Sequence, residues 1–433
     1  GYKLFPYQDE ACVRVAKTNF RALLRLDMGL GKTIISSVLL RKYWKELTPA
    51  LIICKASMTE QWLGELLEWG DGRIAQILEG SRAKAENGFK AFIVSQDLIA
   101  PRYNKKERTE KGGLPWLKDY PFKTIIYDEV QHIKNPDAAR TKFVQDLVAK
   151  APYFIALSGT PIKNNAGEYF NVLNMVDPIA FRVRQQFFDR YVNYYYTDSG
   201  YLKAGGLKKD TFDEFQEKVG RFIIDYRREV VMPQLPRIFR QHRLFHLDLD
   251  AKKAMRKEMD TFFDAYESEG NAFKKANDVN QSLMRMRQIV GLAKVDTTVD
   301  YVTDWIEQHD EEAVLLHAGT PNEIKAKPKI VVFIHHIDVG TVLCAQLDNE
   351  LKARGFNPCV RLEGGLDGST SAEIERRFRE EPNNRVLVAS TLAAGEGKNF
   401  QFCSDAVLME RQWNPPNEEQ AEARFPRPGT TAS

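Results

Sequence analysis

No run of uninterrupted apolar residues approaches the length of about 18 needed to cross a bilayer, which excludes a membrane-spanning helix. Cysteine is scarce. The five residues (Cys12, Cys54, Cys344, Cys359, Cys403) are scattered and form no CxxC pair. They read as buried or free thiols of a reducing compartment, not as a metal or disulfide framework. No apolar leader follows Gly1-Tyr2-Lys3, so no signal peptide is expected, and a start at Gly rather than Met reads as a tagged or trimmed chain. No repeat of short period and no low-complexity tract is present; Lys105 to Gly113 is a charged surface loop. No Ser/His/Asp set or nuclease-like carboxylate cluster stands out. His242 and His246 are spaced i,i+4, but the pattern there is extended and no further metal ligands are near in sequence. Strong net charge is absent too, at +3, but the charge is uneven: +8 over residues 1–165, +4 over 166–295 and −9 over 296–433. That asymmetry suggests a polyanion partner for the first half.

What is present is ordinary globular composition, 43% hydrophobic and 28% charged, with room for two to three domains in 433 residues. Short apolar runs predict strands at Ala22–Leu26, Ala50–Cys54, Ala91–Ser95, Thr124–Tyr127 and Phe154–Ser158. They are apolar on both faces and alternate with helical patterns, the signature of a parallel α/β sheet. Residues 168–288 have few strand signals, with amphipathic helices predicted over Leu249–Gly270 and Ala272–Val290. Met232 to Pro236 reads as a linker. The strand pattern returns at Lys329–Ile334, Pro358–Leu362, Arg385–Ser390 and Ala406–Met409. The expected fold class is therefore α/β with two parallel-sheet lobes and helical insertions between their cores. The division is residues 1–231, a linker 232–236, and 237–433 with a helical insertion over about 249–310.

Chemistry-bearing residues follow the predicted strands, where open α/β sheets bind ligands. Asp27-Met28-Gly29-Leu30-Gly31-Lys32-Thr33 comes after a strand and opens a helix. Glycines let backbone N–H groups approach phosphate oxygens, and a helix N-terminus adds positive potential. Lys32 suits the β/γ-phosphates and Thr33 suits Mg²⁺. The GxxxxGK[ST] pattern is missed at one place, Leu26. Asp128-Glu129 ends another strand: Asp128 suits water-mediated Mg²⁺ binding and Glu129 suits polarising an attacking water. Arg424 and Arg427 have the type and spacing to meet charge developing on a γ-phosphate. The Lys105, Lys106, Arg108, Lys111 run, broken by Glu107 and Glu110, reads as a solvated face. The tyrosines between 191 and 201 read as packing within a helical insertion.

With these residues in order, the chain resembles a Swi/Snf-type ATPase of helicase superfamily 2 over nearly its whole length. Leu4 to Gln8 resembles the adenine-reading Q motif, and residues 27–33 motif I. Lys55-Ala56-Ser57 with Gln61-Trp62 and Glu65 resembles motif Ia. Asp128-Glu129 with Ile133-Lys134-Asn135 resembles motif II, and Leu157 to Pro161 with Asn164 motif III. Met286-Arg287-Gln288 resembles the family's Leu-Arg-Gln helix, and Val331-Val332-Phe333 motif IV. Ser390-Thr391 with Gly395, Gly397 and Asn399 resembles motif V; Trp413-Asn414-Pro415, Gln420-Ala421, Arg424, Arg427 and Gly429 resemble motif VI. There are departures. Gln131 stands at the usual His of motif II, Lys398 at an apolar place in motif V, and Ala423 and Pro426 at altered places in motif VI. The chain ends soon after motif VI, and so reads as minimal or truncated.

The resemblance implies two RecA-like lobes and an ATP- and Mg²⁺-dependent helicase-family ATPase that translocates on double-stranded DNA by its phosphate backbone. It implies nucleotide contacts from Gln8, Met28, Gly29, Leu30, Gly31, Lys32, Thr33 and Gly395, and metal ligation by Thr33 and Asp128. Catalytic roles fall to Lys32, Glu129, Arg424 and Arg427, and coupling to Gln131, Ser158, Thr160 and Gln420. DNA contacts are implied for Lys55, Ser57, Ser95, Gln96, Lys163, Asn164, His335, Thr391 and Trp413. Two other activities stay open, a strand-separating DNA or RNA helicase and a nucleotide-gated nucleic-acid clamp with little turnover. No membrane partner is expected, and no protein partner can be read. The expected location is cytoplasmic or nucleoid-associated in a prokaryotic or viral source, or nuclear in a eukaryote.

Overall fold

The computed structural model describes residues 3–70, 75–100, 102–104, 109–111, 113–159, 166–196, 202–235, 238–267, 272–317, 328–366, 368–395, 398, 400–403, 405–413 and 415–425. The chain divides into two compact units, Gly1–Gln234 and Leu235–Ser433.

Unit 1 is built on seven parallel strands in the order β11-β1-β8-β7-β2-β4-β3. These are β1 (Arg21–Leu26), β2 (Ala50–Cys54), β3 (Ala75–Leu78), β4 (Ala91–Ser95), β7 (Thr124–Tyr127), β8 (Tyr153–Ser158) and β11 (Ile223–Tyr226). The helices are α1 (Pro6–Lys17), α2 (Lys32–Lys42), α3 (Trp44–Leu47), α4 (Thr59–Trp69), α5 (Ala139–Lys150), α6 (Ala166–Val176), α7 (Arg184–Tyr191), α8 (Phe212–Gly220) and α9 (Arg228–Val231). All five residues of β2 are buried, as helices on both faces require. Two elements depart from the sequence reading. The edge strands β3 and β11 have only four residues each, two of them outside the core, so their apolar signal is weak. The segment after motif III is not wholly helical: β9 (Val192–Tyr196) and β10 (Leu202–Leu207) form an antiparallel hairpin. Its tyrosines behave as strand residues, because aromatic side chains favour a pleated, half-buried surface. Tyr194 stacks edge-on against Phe188 and Tyr196. A short hairpin, β5 (Arg102–Asn104) with β6 (Thr109–Lys111), flanks part of the charged loop; Lys105, Lys106 and Arg108 lie outside the described residues.

Unit 2 holds four parallel strands in the order β13-β14-β12-β15. They are β12 (Ile330–Ile334), β13 (Val360–Leu362), β14 (Val386–Ser390) and β15 (Asp405–Leu408). Its helices are α10 (Leu249–Glu267), α11 (Ala272–Ala293), α12 (Val295–His317), α13 (Ile337–Ala353), α14 (Gly368–Glu380), α15 (Thr391–Gly395) and α16 (Pro415–Glu422). The period of two along β12 divides the core. Ile330, Val332 and Ile334 join Val302, Ile306, Leu343 and Leu347 on one face. Val331 and Phe333 join Phe378, Leu387 and Phe400 on the other. Each such aliphatic side chain buried contributes about 1.5–3 kcal/mol. Lys398, out of place for motif V, is accommodated: it is buried with its ammonium 3.8 Å from Glu375 of α14. Burial pulls its pKa down and Glu375 opposes that shift. Among the described residues no helix is long and apolar enough to cross a membrane.

Candidate active site

The loop between β1 and α2 is held from two sides. Tyr7 Oη donates to the Leu30 carbonyl at 3.0 Å and Gln8 Nε2 donates to the same oxygen at 3.2 Å. Gln8 Oε1 in turn accepts from the Phe5 amide, so this buried side chain staples α1 to the loop. Asp27 Oδ2 accepts from the amide of Arg228 at the start of α9. Gly29 (φ 82°) and Gly31 (φ 76°) take left-handed backbone that disfavours any side chain. A Cβ on Gly31 would also sit 2.5 Å from Gln8 Nε2. Lys32 begins α2, and its Nζ folds back to the Leu26 carbonyl at 2.9 Å. Gly159, at the end of β8, covers that ammonium closely: a Cβ there would stand 3.2 Å from Nζ.

Across the sheet, β7 is followed directly by Asp128 and Glu129. Asp128 is buried, and its Oδ2 accepts the indole N–H of the fully buried Trp62 at 3.0 Å. Burial, and then the charge of Glu129, push the Asp128 carboxyl up to about 6, against the opposing pull of Trp62 and Lys32. Glu129 itself lies at φ 56°, a left-handed position that costs a non-glycine residue about 1 kcal/mol or more. Its Oε2 accepts from Gln131 Nε2 at 2.6 Å, and Gln131 Oε1 accepts from Ser158 Oγ at 3.2 Å. The glutamine at the usual histidine place of motif II therefore ties Glu129 to β8 within unit 1. Thr160, Lys163 and Asn164 lie outside the described residues.

The residues at the strand ends that were read as phosphate contacts fall into two groups. Lys55, Ser57 and Ser95 are half-buried, and Trp413 is exposed. Gln96 and Thr391 are interior residues. Gln96 Oε1 accepts from Tyr127 Oη at 3.2 Å, and Thr391 Oγ1 donates to the Ile334 carbonyl at 3.1 Å. Their side chains are committed to their own units, so an outside phosphate would reach them only by displacing those bonds. In unit 2 the Arg287 guanidinium lies 4.9 Å from the Trp413 ring centre and donates to the Arg411 carbonyl. Half-buried His335 pairs Nδ1 with Gln412 Nε2 at 3.1 Å; burial, with Arg287 and His336, lowers its pKa. Arg424 donates to the carbonyl of Gly395, and Gln420 of α16 packs against that same glycine. Arg427 lies outside the described residues.

Trp62, in the motif Ia segment, and Tyr7, in the Q-motif segment, hold the candidate site together, and the sequence alone assigns neither a role. The signal for Trp62 was available, since a buried indole needs a partner for its N–H. Its partner, distant in sequence, was not.

The donor set fits a magnesium nucleotide. Buried Asp128 and half-buried Glu129 stand together within reach of the Lys32 charge, and burial, then the charge of Glu129, pushes the Asp128 carboxyl upward. Carboxylate and hydroxyl oxygens are the ligands that Mg²⁺ prefers.

The comparisons agree with this construction. The SNF2-related domain model matches residues 12–293, and the helicase conserved C-terminal domain model matches residues 296–429. The chain belongs to the SNF2-related family and carries both halves of a helicase-type ATPase core. Human "DNA annealing helicase and endonuclease ZRANB3" is 25% identical across 100% of this chain and 37% of its own length. The Xenopus laevis "SWI/SNF-related matrix-associated actin-dependent regulator of chromatin subfamily A-like protein 1" is 24% identical across 99% of this chain and 41% of its own. The chain thus spans well under half of these two relatives. Among solved structures, the "Sulfolobus solfataricus SWI2/SNF2 ATPase core in complex with dsDNA" matches with a TM-score of 0.46 and 22% identity, covering 100% of this chain and 86% of that one.

Proposed function

We propose that this chain is an ATP-dependent translocase on double-stranded DNA, with Mg·ATP held in unit 1. The observation that carries the reading is the buried Asp128, with half-buried Glu129 beside it, on the same parallel sheet as the Gly29–Lys32 loop, in a chain of this family. Loop amides and the N-terminus of α2 cradle the phosphates, and Lys32 leaves the Leu26 carbonyl for the β/γ-phosphates. Thr33 and Asp128 hold Mg²⁺, with Trp62 fixing the orientation of Asp128. Held there, Mg²⁺ would supply charge neutralisation for the phosphates. Glu129, held by Gln131 and Ser158, accepts the proton of the attacking water. Arg424 and Arg427 are the residues assigned to the charge that develops on the transferred group. Lys55, Ser57, Ser95, His335 and Trp413 contact the DNA backbone, which is sequence-independent and weakened by salt. A protein with this task works where duplex DNA is kept, in a nucleoid or a nucleus.

ATP turnover with no nucleic acid, duplex DNA, single-stranded DNA and RNA tests the reading, with Lys32→Ala as the blank. Stimulation by duplex, followed by displacement of a triplex-forming strand, is the expected result. Stimulation by single strands or RNA alone would replace it with a strand-separating helicase. Turnover no higher than the blank under every condition would replace it with a nucleotide-gated clamp.

A further inference from the structure

Five thiols scattered in sequence do not stay scattered in the fold. Helix α13 carries Ile337, Thr341, Cys344 and Asp348 along one face, at i, i+4, i+7 and i+11 spacing. The chain entering β13 runs beside that face and is anchored to it twice. Arg361 donates to Thr341 Oγ1 at 2.9 Å and to the Ile337 carbonyl at 3.1 Å. The amide of Cys359 donates to Asp348 Oδ1 at 2.7 Å. Cys344 lies on the helix face between those anchors, and Cys359, two residues before Arg361, points to the same side. Cys344 lies about one helical turn from both anchor residues, Thr341 and Asp348, so the two thiols share the seam between α13 and β13. Cys344 is buried in the core cluster, and Cys359 packs on it half-buried, so the pair has an inner and an outer sulfur.

The contact also divides the labour between the sulfurs. The neighbouring Cys359 thiol, helped by the Arg361 charge, pulls the Cys344 thiol down against the effect of burial. The Cys344 thiol, then burial, pushes the Cys359 thiol up. Cys344 is therefore the member that supplies thiolate, the reactive form.

We propose that Cys344 and Cys359 form an oxidation site, a dithiol that a hydroperoxide converts to a disulfide between α13 and β13. The Cys344 thiolate attacks the terminal oxygen of the hydroperoxide and the O–O bond breaks. Cys344 becomes a sulfenic acid, and the departing alkoxide takes up the proton that Cys344 released. The Cys359 sulfur then attacks the sulfenyl sulfur. The S–O bond breaks, and hydroxide leaves as water with the Cys359 proton. Two thiols and one hydroperoxide thus give a disulfide, an alcohol (water when the oxidant is hydrogen peroxide) and water. The new bond fastens the edge strand of the unit 2 sheet to its neighbouring helix.

The test treats the reduced full chain with hydrogen peroxide, blocks free thiols by alkylation under unfolding conditions and maps peptides without reduction. The expected result is one linked pair, Cys344 with Cys359, lighter by two hydrogens and reopened by dithiothreitol, with Cys12, Cys54 and Cys403 alkylated. Cys359→Ser should leave a sulfenic acid on Cys344 that dimedone traps. Cys344→Ser should slow oxidation at residue 359 by about tenfold or more, because the more acidic thiol is gone. The proposal is overturned if peroxide leaves both thiols alkylatable, links a different pair, or carries Cys359 to a sulfinic acid with Cys344 untouched. None of these readouts depends on ATP or DNA.

Discussion

Strands β7 in unit 1 and β15 in unit 2 are both followed closely by a buried acid, and the two acids are handled in opposite ways. Asp128 accepts the Trp62 indole N–H and Glu129 accepts the Gln131 amide, and burial, then the Glu129 charge, drives the Asp128 carboxyl upward against the opposing Lys32 charge. Glu410 is instead taken up by its own unit. Its Oε2 accepts the amides of His335 and His336 at 2.7 and 2.9 Å, and its Oε1 meets His336 Nδ1 at 2.6 Å. A Cβ on Gly291 would sit 2.7 Å from Glu410 Oε1, so α11 also closes over it. A strand-end carboxylate is thus a structural tie where two backbone amides and a histidine close on it, and is pushed upward in pKa where it is buried beside a second carboxylate. The same topological position supports both outcomes.

This contrast can be broken by experiment. The largest effect is expected from Glu129→Gln, which keeps the Gln131 contact region filled but removes the proton acceptor. Turnover should fall by about 10²-fold or more while Mg·ATP binding persists, read by single-turnover assay and equilibrium titration. Parent-level turnover in this variant would remove Glu129 from the chemistry. Glu410→Gln should do the reverse. It places an amide against two N–H donors and His336, and should cost unit 2 about 2–4 kcal/mol in denaturant unfolding, with nucleotide affinity of unit 1 unchanged. An unaltered unfolding midpoint would mean that Glu410 is no tie.

A finer distinction lies in pH. The folded-state value for Asp128, about 6, stands above the ordinary 3.8. Between those values the folded chain binds more protons than the unfolded one, so stability should fall as pH rises from about 4 to 6. Asp128→Asn should flatten that slope, worth about 1–3 kcal/mol, in urea unfolding followed across the window. Equal slopes in both proteins would show that the acid is not strained by its surroundings. The smallest effect is expected from Ser158→Ala. Losing one 3.2 Å bond to Gln131 should lower turnover by a few-fold, equivalent to about 0.5–1 kcal/mol, with nucleotide affinity intact. A loss matching that of Glu129→Gln would mean that Ser158 acts on the reacting groups directly.

Much of this was legible before the fold. Apolar runs placed β2, β4, β7, β12 and β14 because a strand buried on both faces must be apolar throughout. The Gly29–Thr33 loop was legible because only certain residues satisfy a tight strand-to-helix turn that presents amides. The short edge strands β3 and β11 were not, since a strand with half its residues outside the core carries half the pattern. The β9–β10 hairpin was misread because tyrosines suit both a helix face and a pleated sheet, and only pairing decides. Gln96 and Thr391 could not be recognised as interior residues, because a polar residue at a strand end looks the same whether its partner is Tyr127 Oη or a ligand.

What the amino-acid order determined by itself was local: which segments could be strands, which turn could approach phosphate, and which acids ended a strand. Those properties follow from side-chain shape, periodicity and backbone freedom over a few residues. What only the tertiary structure decided was partnership over long separations: Trp62 with Asp128, Glu410 with His336, and Cys344 with Cys359. Whether a buried polar group is satisfied depends on atoms brought to it by packing, and that packing is a property of the whole fold.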